Sequence, residues 1–566
     1  MPVTRCFASA WTTRALCLLL LLSCSGGSEP SAPRFALLSI GPSATLPTGG
    51  TVFLTAHGTG FQNGAVIERD STALQTTFTS DTRLVAAISL QGIAVPDTLT
   101  IRVRNPDGEL SNGVPFIVSP DAQPFGIDST APASATEANA GTSITVYFSE
   151  ALDSASIVDT SIVVHDETGA EVSGTISSDA GGRTLHWQGL LPGAHQYTAS
   201  VSDELRTPSG GGLGGPATWS FLTTLGVTVP LEPDAVWPNL VLGSNGLPRV
   251  LYRTSSEIRV GGCTGSCDTR DLWSLTDVSP VTGSDDYLSL AIDGADNLHL
   301  GLVGLCCGPT YATPAGQMVT IDDGSVAYTS IGTNAAGTLH LLYYNNTDLH
   351  GAACSADCGT ATNWQVTAVD TSGNAGSFTS VVVEPQGGVH VTYFENDSGD
   401  LRYAVCASPC TTPTWSSGPV DTTGRVGIGS SLVLDGTGTV HASWVDVTAG
   451  DVVYGTCAAA CTTVNGWSRT VVEHIAEPGF DVKLYLTSLA LGPNGLELSY
   501  YDILRGQLHG ASCASGCTTP GAWTTFAVSL NSIASGLRMT SLKVDNAGQR
   551  HVLWIDRDGV ARYTRY

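Results

Sequence analysis

The sequence predicts an all-β protein, with two β-sandwiches followed by a seven-bladed β-propeller and six blades as the competing count. Three observations lead there. A short motif recurs seven times between residues 225 and 566. Residues 33 to 224 hold short alternating apolar segments bounded by Gly and Pro, the pattern of strands with one buried face. Charge is sparse, Gly, Thr, Ser and Val are abundant, and helix-start signals are missing. The formal charge of −26, with the positive share almost all arginine, sets the chain against phosphate backbones and disfavours nucleic acid as a partner.

Residues 1 to 24 read as a targeting segment rather than structure. Arg5 and Arg14 supply positive charge, Ala15 to Leu22 form a short apolar core, and Ser23-Cys24 follow. Leu21-Leu22-Ser23-Cys24 resembles the bacterial lipobox, which implies acylation at Cys24 and attachment to a membrane through lipid, at the outer membrane or cell surface. An ordinary secretory signal with an incidental cysteine is the plain alternative. Residues 25 to 32, Ser-Gly-Gly-Ser-Glu-Pro-Ser-Ala, form a flexible tether. Beyond residue 24 no apolar run approaches the length of a membrane span.

Residues 33 to 118 form the first sandwich. Thr51-Val-Phe-Leu-Thr-Ala and Asp97-Thr-Leu-Thr-Ile-Arg-Val-Arg alternate, and Asn105-Pro-Asp-Gly108 makes a turn between strands. Gly58-Thr-Gly60-Phe61, the closing Asn105-Pro-Asp-Gly108 and Ser111-Asn112 resemble the IPT/TIG immunoglobulin-like family, whose domains serve as spacers or interaction modules. Residues 124 to 224 form the second. Its Phe148-Ser-Glu150-Ala-Leu-Asp153, Leu191-Pro-Gly-Ala-His-Gln-Tyr197 and closing Trp219-Ser-Phe221 resemble the bacterial Ig-like domains of surface-layer and adhesin-type proteins. That resemblance likewise implies spacing, not chemistry.

In residues 225 to 566 the recurring slot is His299, His340, His390, His441 and His551, with Arg249 and Glu497 in two copies. Successive slots lie 50, 41, 50, 51, 56 and 54 residues apart. A period of roughly 40–50 residues built of short strands is the signature of propeller blades, none of which can bury its faces alone. The last unit has room for three strands, and Thr224 to Leu231 could supply the fourth and so remove a free sheet edge. The repeats look like sialidase-like and lectin-like propellers, a resemblance that implies carbohydrate as a ligand class. Neither an Asp-box nor an arginine triad accompanies them.

Twelve cysteines follow Cys24. Ten form C-x3-C pairs, one per repeat: Cys263 with Cys267, Cys354 with Cys358, Cys406 with Cys410, Cys457 with Cys461, and Cys513 with Cys517. A zinc site needs four converging ligands, whereas pairs set one blade apart suit local disulfides in an oxidising compartment. Cys306-Cys307 is either a vicinal disulfide or two buried thiols.

A residue recurring in most blades normally serves the blade, so the histidines read as structural. The position five after the slot is more suggestive: Asn345, Glu395, Asp446, Asp502 and Asp556 fall where a strand meets its loop. Beside exposed aromatics such as Tyr344, Phe394 and Tyr501, these acids suit sugar hydroxyls, a cation or Ca2+, or else serve as turn caps. The function expected is a lipid-anchored surface protein that presents its propeller on Ig-like spacers to a glycan or protein. A polysaccharide-active hydrolase or lyase and a purely structural envelope part are the alternatives. The regularity of the repeats favours binding over catalysis, because an enzyme usually breaks its blades' symmetry at the site.

Overall fold

The computed structural model describes residues 35–47, 49–122, 124–280, 287–303, 308–324, 326–410, 414–478, 486–530 and 539–566. The expected lipidation site Cys24 and the Cys306-Cys307 pair lie outside the described residues. Among the described residues the regular structure is strand, apart from four three-residue 3-10 turns, and no helix is long and apolar enough to cross a membrane.

Compactness divides the chain into two units, one running to Gly126 and including Asp203–Gly215, the other comprising Ile127–Ser202 and Pro216–Tyr566. In the first, Ala36–Gly41, Thr51–Thr59, Arg83–Ser89 and Thr76–Ser80 form one sheet. A second sheet is centred on Asp97–Arg104 and Val114–Val118, and both contribute to a single apolar core. The motif residues earn their places by packing. A Cβ on Gly58 would stand 2.4 Å from the Phe61 ring. Asn105 donates to the Gly60 carbonyl at 3.0 Å, and the Asn112 amide brackets Leu37 by bonding its N–H and its carbonyl at 3.0 and 2.8 Å. Asp203 lies beside Arg83 and His57 in the same unit, at 3.1 and 3.5 Å, and the His57 hydrogen bond holds its carboxyl below the usual range.

The second unit opens with two four-stranded sheets, Ile127–Ala131, Ile144–Phe148, Thr184–Gly189, Gly174–Ser178 and Glu137–Ala138, Ala217–Thr223, Gln196–Val201, Ile162–Asp166. Trp187, Tyr197, Trp219 and Phe221 are buried there. Seven further four-stranded antiparallel sheets follow. Their first strands pack side by side in chain order, and that of the seventh packs on that of the first. The unit that lacks a C-x3-C and its tryptophan still forms a four-stranded sheet, from Ser289–Ile292, Leu298–Val303, Pro309–Ala312 and Met318–Thr320. The expected closing strand is present: Val227–Glu232 pairs antiparallel with Ala561–Arg565, so the last sheet takes its outer strand from the chain segment preceding the first.

All five C-x3-C pairs are disulfides: Cys263 is bonded to Cys267, Cys354 to Cys358, Cys406 to Cys410, Cys457 to Cys461, and Cys513 to Cys517. Their Cα–Cα separations are 5.6 to 5.8 Å. Each bond ties the end of a third strand to the loop that follows, so Cys267, Cys358, Cys410, Cys461 and Cys517 are the loop-side partners. In three sheets the carbonyl of that second cysteine accepts the indole N–H of the tryptophan opening the outer strand. Cys358 takes Trp364 at 2.8 Å, Cys461 takes Trp467 at 2.8 Å, and Cys517 takes Trp523 at 2.9 Å.

Candidate functional site

The recurring histidines are built into the sheets. In four copies Nδ1 lies against a tyrosine hydroxyl of the next strand: His299–Tyr311 2.9 Å, His390–Tyr403 2.5 Å, His441–Tyr454 2.7 Å and His551–Tyr563 2.6 Å. On the other side Nε2 faces an acid of the preceding turn, Asp293, Glu384, Asp435 or Asp545, at 3.1 to 3.5 Å. Asp435 shows why that acid sits there. Its Oδ1 accepts the backbone N–H groups of Thr437 and Thr439, the hydrogen bonding of an Asx turn. Each tyrosine then packs on the tryptophan of the following sheet; Tyr454 and Trp523 have ring centres 5.2 Å apart. Burial pushes the imidazoles of His390, His441 and His551 below their ordinary range against the pull of the acid. His340 has Gly351 where the others meet a tyrosine, and burial alone takes it down to about 4.

A second set of groups joins one sheet to the next. The carboxylates of Glu232, Asp322, Asp370 and Glu473, at the ends of outer strands, accept the hydroxyls of Tyr252, Tyr343, Tyr393 and Tyr500. Arg259, His350, Arg402 and His509 complete these junctions. Glu473, Asp502 and His509 offer donor atoms within 4.8 Å of one another, the one arrangement among the described residues that could hold a metal. The Arg505 guanidinium already bridges both carboxylates and Tyr500 donates to Glu473, so the cluster has its counter-charge.

The acids five after the slot are spread one per sheet and turned inward upon their own turns. Glu395 accepts the N–H groups of Asn374, Asp397 and Ser398. Asp446 accepts that of Ala449, and burial raises its carboxyl. Asp502 is 0% exposed and held by Arg505, while Asp556 accepts from Asp558, Val560 and Arg562. Asn345 bonds Asp322. Tyr501 is 2% exposed, its hydroxyl donating to the Ile555 carbonyl at 2.6 Å, and Phe394 is buried as well, so neither is the exposed platform expected of it. Tyr344 alone of the three is half-buried, its hydroxyl on the Asn346 carbonyl.

The side chains that do converge lie on the ring axis. A cavity of 180 Å³ takes three consecutive residues from each of the seven first strands or their entries, from Trp237-Pro238-Asn239 to Met539-Thr540-Ser541. Its lower wall is a ring of hydroxyls. Ser330, Ser380, Ser431, Ser488 and Ser541 each accept the backbone N–H of the next first strand, at 2.9 to 3.1 Å. Its mouth breaks the sevenfold pattern. Trp237, Tyr287, Tyr328 and Phe378 occupy equivalent positions in four successive sheets, all in the left-handed region with φ of 58°, 69°, 56° and 55°. Bulky side chains rarely adopt that conformation, and where they do the surrounding structure enforces it. The ring centres run 4.0, 3.9 and 4.6 Å apart, a continuous arc, and Tyr344 lies beyond Tyr328 at 6.3 Å. The fifth sheet places Gly429 at this position, also left-handed.

Sequence reasoning passed over this arc because it followed the histidine slot. The signal was available: Trp-Pro-Asn-Leu, Tyr-Leu-Ser-Leu, Tyr-Thr-Ser-Ile and Phe-Thr-Ser-Val put an aromatic two residues before the Ser or Asn of four inner strands.

Residues 121–223 match the family model of a bacterial Ig-like domain. No curated protein sequence matches the chain. Among solved structures it is similar to a protein of unknown function from Dyadobacter fermentans, at 12% identity and TM-score 0.37 over 60% of this chain and 97% of that one. It is also similar to the leech intramolecular trans-sialidase complexed with 2,7-anhydro-Neu5Ac, at 11% identity and TM-score 0.38 over 94% and 98%. The six-bladed fucose-recognising lectin of Aleuria aurantia matches at 13% identity and TM-score 0.33 over 54% and 99%.

Proposed function

We propose that this is a binding protein of the cell envelope, anchored by lipid at Cys24. In this reading an IPT/TIG-like domain and a bacterial Ig-like domain present a seven-bladed propeller to a glycan. The observation that carries it is the arc of Trp237, Tyr287, Tyr328 and Phe378 over the axial cavity. Trp237 and Tyr287 pack on one apolar cluster and Phe378 on another, yet the fifth sheet meets the same left-handed position with glycine, so the ring of sheets does not require an aromatic there. Ligand sites combine aromatic walls with a few fixed polar groups, and this mouth has both. Binding rather than turnover is supported by the acids nearest the expected loops, Glu395, Asp502 and Asp556, which are committed to backbone N–H groups and arginines. A hydrolase needs two carboxylates free to face one bond at about 5–10 Å. The test is a glycan array probed with the full-length protein, with product release followed on the same glycans. Saturable binding without products supports the reading. Released products would establish an enzyme, and silence would leave a protein partner or a structural role.

A further inference from the structure

We propose that the axial cavity is an end-on site for one uncharged sugar ring, the terminal residue of a neutral glycan. This rests on the binding role proposed above and adds the chemistry and pose of the ligand. The first argument is charge. Among the described residues, none that lines the cavity is Asp, Glu, Lys, Arg or His. Against these described residues an acidic sugar or a phosphate would leave water without a counter-charge, and a divalent cation would find no carboxylate. The second is the complementarity of the two walls. Aromatic faces at the mouth cover the apolar C–H side of a pyranose ring, while the polar wall below suits its hydroxyls. Each of Ser330, Ser380, Ser431, Ser488 and Ser541 uses its oxygen to accept a backbone N–H. Among the described residues no acceptor takes their protons, so five donors remain for sugar oxygens on the axis. The third is size. At 180 Å³ the cavity falls below the roughly 300–1,000 Å³ of sites that bury a drug-sized ligand, so it admits one ring and not a chain laid across it.

Calorimetry of the full-length protein tests this with three probes: methyl glycosides of neutral hexoses, the matching methyl glycosiduronates, and neutral oligosaccharides with the non-reducing end free or capped. Tyr287→Gly and Tyr328→Gly serve as variants. Glycine keeps the left-handed backbone, as Gly429 does, so the aromatic face is removed without forcing a refold. An unchanged melting temperature confirms the fold. At least one neutral methyl hexoside is expected to bind, with its uronate at least tenfold weaker, either variant tenfold or more weaker, and capping abolishing oligosaccharide binding. Equal or tighter binding of the uronate overturns the neutral assignment, and retained binding after capping overturns the end-on pose. Glycan binding that both variants leave untouched places the site elsewhere, while the receptor reading stands. If no neutral sugar binds but the array shows other ligands, this inference alone falls; if the array is silent, both fall.

Discussion

His340 stands 5% exposed with its imidazole pushed down to about 4, so its effect on stability has a definite sign. A folded-state value below the ordinary 6.5 means that the unfolded chain binds the proton more tightly. The penalty is absent above pH 6.5 and grows as pH falls toward 4, where it reaches on the order of 3 kcal/mol. His340→Leu removes it. Denaturant unfolding of variant and parent should diverge as the pH drops from 7 to 4, with the variant the more stable in acid; parallel curves would show that His340 remains hydrated. Asp435 works in a different window. Burial would raise its carboxyl, but the Thr437 hydroxyl, the N–H groups of Thr437 and Thr439 and His441 outweigh that and bring it to about 2. Its contribution is present above the ordinary carboxylate range and lost as pH falls through 2. The third sheet of the ring already carries Asn334 at the equivalent turn, where it accepts the N–H groups of Ala336 and Thr338. Asp435→Asn should therefore cost under about 1 kcal/mol and Asp435→Ala about 1–2 kcal/mol, a ranking that thermal melts at pH 7 would check.

Within a blade, the disulfide and the tryptophan form one device. In the fifth sheet of the ring Cys457–Cys461 folds the loop back, the Cys461 carbonyl takes the Trp467 indole N–H, and the indole packs on Tyr403 of the sheet before. The joined positions are only 4 apart in sequence, so the loop-entropy gain is at most about 2 kcal/mol. The double variant Cys457→Ser, Cys461→Ser should lower the unfolding free energy by no more than that in oxidising buffer, while Trp467→Ala, which opens a cavity between sheets, should cost about 3–5 kcal/mol. Reversal of that order would mean that the bond, not the packing, organises the junction. Devices of this kind were legible in the sequence because a blade needs the same residue types at the same spacing each time. The histidine slot, the C-x3-C pairs and the following tryptophan are the visible trace of that need. The aromatic arc was not legible in the same way. It depends on where four side chains meet at an axis, on left-handed φ values no spacing encodes, and on a departure from the repeat rather than on the repeat. The acids five after the slot, by contrast, belong to the repeat. Their regular recurrence reflects a turn each sheet must make, as Asp556 shows by bonding Asp558 and Val560.

A ring of sheets holds together only if its ends meet, and here that task falls on two segments more than 300 residues apart. Val227–Glu232 supplies the outer strand of the sheet completed by Ala561–Arg565, with Thr228 opposite Thr564 and their hydroxyls 2.9 Å apart. Without this pairing the Ala561–Arg565 strand would present an unpaired edge, and no internal contact within any single sheet could compensate. The closure also joins the ring to the two sheets that precede it. Thr228 donates its N–H to Asn139, and Ser529 donates to Glu137 at 2.6 Å. Unfolding of the ring should therefore begin by loss of the Val227–Glu232 strand rather than by melting of a blade. Thr228→Cys with Thr564→Cys tests this directly, since the two positions are cross-strand partners. The oxidised cross-link would close a loop of 336 residues, which on loop entropy alone is worth about 6 kcal/mol, far more than any of the native local bridges. Mild reductant should reverse the gain. If the closing strand is the first element to open, the oxidised variant will also unfold much more slowly than the parent. If the rate stays the same while the equilibrium stability rises, the ring opens at another junction, and the closure is one interface among seven.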